Sequence, residues 1–177
     1  SGVLVFAKKK SVLTEFNDLL FSRKAQKTYL AIVKNNPPKK KENLINFLVK
    51  NHREKRADII QSKSKDSLDC SLSYQVIGKN DFGYLLEIKP KTGRFHQIRA
   101  QLSNIGLPII GDVKYSSDQE YFPFSICLHA WKFTYQVPGS KEFKTFEAPL
   151  PKNNFWNSFR PGLSNESTNL KKENRLY

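Results

Sequence analysis

The sequence predicts an α+β domain: a mixed, mostly antiparallel sheet of hairpin-connected strands with flanking helices. Three observations carry this. Short runs alternate apolar and polar residues, clusters of Gly, Asn, Asp and Pro separate them, and only two segments place apolar residues at helical spacing. The 177 residues suffice for one domain with its own core.

The elements follow in order. Residues 2–7 (Gly-Val-Leu-Val-Phe-Ala) form an apolar run expected to be a buried strand. Val12, Leu13, Phe16, Leu19 and Leu20 share one face at helical spacing, which predicts an amphipathic helix over 11–22. Residues 27–34 are rich in β-formers and predict a strand with Tyr29, Ala31 and Val33 on one face. Residues 44–50 and 55–61 predict a basic hairpin joined at Asn51-His52, and 68–77 with 84–89 a second one around the turn Gly78–Gly83. Phe95, Ile98, Leu102 and Ile105 predict a helix over 95–105, which Gly106 ends as a C-cap and Pro108 cannot extend. Strands over 126–135 and 144–147 follow, and Pro149–Pro151 reads as a stop. Residues 1–160 are taken as the folded domain and 161–177 as a polar tail.

Charge narrows the choice of partner. Thirty Lys and Arg against sixteen Asp and Glu give a net +14, the balance of a protein that meets a polyanion. Half of it, +7, falls between Lys34 and Lys65. That stretch reads either as a Lys-rich solvated excursion, with Lys39, Lys40 and Lys41 at a loop tip, or as a surface that contacts phosphates. No segment approaches the roughly 18 apolar residues of a membrane helix and no signal-peptide pattern opens the chain, so a soluble cytoplasmic protein with no membrane partner is expected. The chain begins with Ser1 and contains no Met, and so reads as part of a longer one. Cys70 and Cys127 sit in strand-like contexts and are expected to be buried free thiols.

The densest cluster of special residues is Lys91-Thr-Gly-Arg-Phe-His-Gln-Ile-Arg99. It turns from a strand into a helix whose first turn gathers His96, Gln97 and Arg99, a place where backbone N–H groups and side-chain charge together attract anions. Taken singly, Thr92 reads as a helix cap, Arg94 as a solvated cation and His96 as an interior histidine; together the string is too polar for a helix that only packs. His52, His96 and His129 lack metal-ligand spacing, and Walker-type, dinucleotide and nucleophile-elbow motifs are absent from the sequence. So are helix-turn-helix and zinc-finger patterns, which disfavours a DNA-binding domain.

These residues resemble a known family. Thr92-Gly-Arg-Phe-His-Gln-Ile-Arg99, Gly106-Leu-Pro-Ile-Ile-Gly-Asp112-Val-Lys-Tyr115 and Leu128-His129-Ala130 are similar to signature blocks of the RluA-type pseudouridine synthases. Ser1–Lys8, Lys27-Thr-Tyr29 and Phe146–Pro151 match further blocks in the same order, so the resemblance spans residues 1–151. It implies the pseudouridine-synthase-like catalytic fold and isomerisation of uridine in structured RNA (rRNA or tRNA), by flipping the base, cutting the glycosidic bond, turning the uracil and rejoining it through C5. It implies no metal and no organic cofactor. The family's essential aspartate would lie four residues before Ser1, so the 177-residue chain alone is expected to be inactive. A non-catalytic RNA-binding protein of the same fold, its aspartate lost, is the alternative.

Among residues present, the resemblance assigns Tyr29 to stacking on the target base and moving a proton, and Arg99 to pairing with the aspartate. Should that aspartate be missing, Arg99 is expected to pair with another anion or turn to solvent. Arg94, His96 and Gln97 are expected to organise the turn and contact RNA. Lys27, Lys39, Lys40, Lys41, Arg53, Lys55 and Arg56 complete the expected RNA-holding set, on a protein taken to be a monomer.

Overall fold

Period-two alternation becomes a single twisted sheet. The computed structural model describes residues 1–159; the tail expected over 161–177 lies outside them. Among the described residues the order is α1 (Lys10–Phe21), β1 (Ala25–Val33), β2 (Lys41–Asn51), β3 (Arg56–Ile60), β4 (Leu68–Asn80), β5 (Gly83–Pro90), α2 (Gln97–Asn104), a single 3-10 turn (Val113–Tyr115), β6 (Leu128–Gln136), β7 (Phe143–Glu147) and α3 (Asn154–Asn157). The strands form one seven-stranded sheet in the order β3-β2-β4-β5-β1-β6-β7, with every adjacent pair antiparallel. β2–β3, β4–β5 and β6–β7 are the hairpins, and the sheet is the antiparallel, helix-poor architecture the sequence predicts.

β1 lies next to the middle of this sheet and is buried accordingly. Leu30, Ala31, Ile32 and Val33 are all inaccessible to solvent, although successive side chains point to opposite faces, so the sheet is covered on both sides there. Leu72, Leu85, Leu86, Ile88, Leu102, Ile109 and Ile110 extend this core. After the Pro149–Pro151 stop the chain still contributes to it: Asn153 caps α3 by accepting from the Trp156 N–H, and Trp156 and Phe159 are buried in the main cluster. Cys70 and Cys127 are buried free thiols, and burial pushes Cys127 up to about 12.

α2 ends as its sequence requires. Gly106 at φ +76 takes the left-handed position while its N–H bonds Ser103 O and that of Leu107 bonds Leu102 O, a Schellman motif.

Two expectations change. Residues 2–7 are not a strand: Gly2 makes one parallel bridge with Ala130, and Leu4, Val5 and Phe6 are exposed. The free edge of β6 offers room only at Ala130, because the next carbonyl, that of Trp131, already accepts from Ala148 N–H. The second change is the start of α2. His96 stands at the N-cap with φ +52, so the helix begins at Gln97 and Phe95 is excluded from its buried face; Thr92 does not cap it. The left-handed backbone at a non-glycine residue costs about 1–2 kcal/mol.

Candidate active site

The β5–α2 turn and β1 converge on one cleft of about 870 Å³. Lys27 and Tyr29 reach it from β1; Arg94, His96, Gln97 and Arg99 reach it from the turn and from the first turn of α2. Arg23 and Lys91 add charge to the wall, and among the described residues lining it there is no carboxylate. Six of the residues predicted from sequence are thus brought together. The other six are not on this wall. Lys39 is paired with Glu42 at 2.6 Å near the start of β2, beside Lys40 and Lys41, while Arg53, Lys55 and Arg56 occupy the β2–β3 tip, where Arg56 pairs with Asp58 at 2.8 Å.

Arg99 is the most tightly held of these groups. Its Nε and Nη2 donate to the two carboxylate oxygens of Asp112, each at 2.7 Å, and its Nη1 donates to His96 Nε2 at 3.0 Å. The guanidinium lies 4.8 Å from the Tyr115 ring centroid. Asp112 is 1% exposed and Arg99 18%, so this is a largely desolvated bidentate pair. Three of the five guanidinium N–H groups are spent, leaving two on a side chain that lines the cleft.

This arrangement fixes the His96 tautomer. A guanidinium only donates, so Nε2 accepts and neutral His96 carries its proton on Nδ1, where it donates to the Tyr115 hydroxyl oxygen at 3.2 Å. The same oxygen accepts the Ala57 N–H of β3 at 2.7 Å. Burial, and then the Arg99 charge, hold His96 below its ordinary value of 6.5.

Gln97 has no donor left for a ligand. Its Oε1 accepts from the Thr92 hydroxyl and the Arg94 N–H, and its Nε2 donates to Ser71 O and Gln101 Oε1. Gln101 continues the chain to Asn46 Oδ1 and Leu44 O in β2. Arg94 is exposed, steered by one bond from its Nε to Asp69 O. Tyr29 is half-buried at a bulge in β1 between Ile88 of β5 and Ala130 of β6, and burial raises its phenol above the ordinary value of 10.

In the sequence Asp112 and Tyr115 stand out only as members of a block, with no role of their own. A signal is present all the same: a carboxylate following Pro-Ile-Ile-Gly sits in a run bound for the interior and requires a counter-charge. What the spacing does not reveal is which cation supplies it.

Fold and site together define a protein with a cationic cleft, set beside the centre of an antiparallel sheet and suited to an anionic, ring-bearing ligand. Residues 1–104 match the RNA pseudouridylate synthase family, and the chain belongs to that family. It is 28% identical over 168 residues to tRNA pseudouridine synthase C of Vibrio parahaemolyticus, covering 85% of this chain and 68% of that protein. With ribosomal large subunit pseudouridine synthase D of Borreliella burgdorferi the identity is 31% over 154 residues, 86% of this chain and 46% of that one. The chain therefore spans between about half and two thirds of these relatives. The solved structure of human RNA Pseudouridylate Synthase Domain Containing 1 shares the fold, with a TM-score of 0.66 at 24% identity over 82% of this chain and 62% of that chain.

Two outcomes follow from the ion pair and its histidine. Asp112→Ala strands a guanidinium and is expected to cost about 3 kcal/mol in urea denaturation, the low end for a buried pair because Arg99 keeps some access to water; adding Arg99→Met recovers part of the loss. His96, held low in the folded state, gives up its proton more readily there than in the unfolded chain. Both states are neutral above the ordinary value of 6.5, and as pH falls through it the unfolded chain takes the proton first, so stability drops. His129, lowered by burial, acts with the same sign. His96→Asn, which tolerates the left-handed backbone, is expected to lessen the drop in urea midpoint below that pH.

Proposed function

We propose that this chain forms the base-isomerising cleft of an RNA pseudouridine synthase acting on uridine in structured rRNA or tRNA. One observation carries the reading: Tyr29 and the cations Lys27, Arg94 and Arg99 share a single cleft wall although more than sixty residues separate the two segments. A cationic wall without a carboxylate suits a phosphate backbone, and a half-buried phenol ring offers a flat face to a base.

The chemistry is an isomerisation. The bond from ribose C1′ to N1 breaks, the uracil turns, C1′ bonds to C5, and the proton lost from C5 is balanced by one gained at N1. Both edges of the base must be reached, so the uridine leaves its stack, at a cost of a few kcal/mol that phosphate contacts offset. Tyr29 stacks on the extruded uracil. Its hydroxyl, protonated at neutral pH and held so by burial, is in reach of the base to donate a hydrogen bond or pass a proton. Arg99, fixed by Asp112 and His96, offers its two remaining N–H groups to an anion in the cleft. Arg94 takes a phosphate, while Gln97 organises the turn.

The reaction also needs a carboxylate, which the family resemblance assigns to an aspartate four residues ahead of Ser1. Supporting this, Ser1 O accepts the Ala130 N–H, and Ala130 faces Tyr29 in the register of β1 and β6. Ser1 therefore lies across β6 from Tyr29, one strand away, and the chain preceding it would start from there. Lys39, Lys40, Lys41, Arg53, Lys55 and Arg56 lie away from the cleft and are proposed to hold more distant phosphates.

RNA carrying tritium at uridine C5 tests this, because isomerisation releases the label. A chain that includes the encoded residues ahead of Ser1 is expected to release tritium, and its aspartate-to-asparagine variant to bind RNA but release none. Tyr29→Phe keeps the ring and is expected to hold affinity while turnover falls by about a hundredfold or more. Tritium release by the 177-residue chain alone contradicts the assignment; RNA binding with no turnover by the extended chain leaves the alternative, a binding protein of this fold. Separately, replacing Lys39, Lys40, Lys41, Arg53 and Lys55 by alanine is expected to weaken RNA binding and flatten its dependence on log salt, by about 0.7 for each single-strand phosphate that is no longer neutralised. An unchanged slope removes this surface from the RNA site.

A further inference from the structure

Phe95 has no part in the chemistry above, and its placement is unusual. Helical spacing predicts it as a core residue, yet it is 44% exposed, between Arg94 and His96, which line the cleft. The left-handed backbone at His96 turns it there. The Phe95 ring lies against the imidazole of His96, with centroids 3.9 Å apart and planes within 16° of parallel. The ammonium of Lys50, from the end of β2, sits 5.2 Å from its centroid, and Arg94 is its exposed neighbour in the chain. His96 is itself held from behind by Arg99 and Tyr115, so the ring rests on a fixed support.

We infer that Phe95 is a stacking platform for a second nucleobase of the bound RNA, a neighbour of the uridine held at Tyr29, with Lys50 and Arg94 taking the adjacent phosphates. Strained backbone that lifts an apolar ring out of the core points from geometry to function. The ring's companions select the ligand class. A nucleobase is a flat apolar group attached to an anion: with His96 on one face of the ring, the base takes the other as the flexible Lys50 ammonium moves off the ring to the phosphate, and the Arg94 guanidinium lies alongside. An apolar peptide or a lipid tail would leave these cations desolvated. Because His96 fixes the ring before the base arrives, little side-chain freedom is lost on stacking. The platform is indifferent to base identity, as every base has a π-face. It therefore lengthens the footprint on single-stranded RNA without reading its sequence.

This inference rests on the proposal that RNA is the ligand, and the test separates the two. The full chain is titrated, with fluorescence anisotropy as readout, against a fluorescein-labelled twelve-residue oligouridine and an abasic ribose-phosphate oligomer of the same length. The wild type is expected to prefer the oligouridine. Phe95→Leu, which keeps apolar bulk and loses the flat face, is expected to reduce that preference about tenfold with an unchanged salt slope, and Phe95→Trp to retain it. Wild-type preference that persists undiminished in Phe95→Leu overturns the platform while leaving RNA binding intact. A wild type that binds both polymers equally overturns the platform, and one that binds neither of them nor a uridine-containing hairpin RNA overturns the RNA reading with it.

Discussion

The ion pair between Arg99 and Asp112 is the constraint around which the site is arranged. A carboxylate that is 1% exposed requires a counter-charge, and the bidentate geometry admits only one orientation of the guanidinium. Pairing ties α2 to the segment that carries Tyr115. Tyr115 in turn holds His96 on one side and the Ala57 N–H of β3 on the other. Helix, 3-10 turn and basic hairpin thus meet at one hydroxyl. Since the pair is nearly neutral as a unit, the positive potential of the cleft comes chiefly from Lys27, Lys91, Arg94 and Arg23.

A second connection runs through amides. Thr92, Gln97, Gln101 and Asn46 form a chain of hydrogen bonds from the cleft turn to β2, and the side-chain amides of Gln97 and Gln101 each use both their oxygen and their nitrogen. A buried network is rigid only when its members are satisfied, and this one is. It accounts for the polarity of the first turn of α2, which looks excessive for a packing helix. Part of that polarity faces the cleft and part of it is internal structure. The same residues that make the string look like a ligand site hold the turn that lines the cleft in shape.

Much of this is legible in the sequence. The β-formers of 27–34 and the alternating or apolar runs of 68–77 and 84–89 locate the central strands, the runs becoming continuous where both faces of the sheet are covered, and Gly106 announces the end of α2. The misreadings have physical causes. Phe95 satisfies helical spacing, but no residue type signals that a histidine will adopt φ +52 and turn it outward. Residues 2–7 are apolar enough for a strand, and whether they pair depends on how much edge β6 leaves free, which is a property of the assembled sheet. Arg99 and Asp112 lie thirteen residues apart on different elements, so their pairing is tertiary information. The histidine, glutamine and arginines of the motif do gather at one turn, as their spacing predicts; that Gln97 is internally spent while Arg94 is exposed emerges only from packing.

Family membership and sheet topology account for the architecture, and the cleft is the proposed place where that architecture meets RNA. The most direct measurement is amide chemical-shift mapping of the isotopically labelled chain during titration with a uridine-containing hairpin RNA. The largest changes are expected at Lys27–Tyr29 and across Lys91–Arg99, with smaller ones at the β2–β3 tip. Changes confined to the β7 edge or to α1, with Tyr29 and the 91–99 turn unmoved, would contradict the cleft's assignment to RNA.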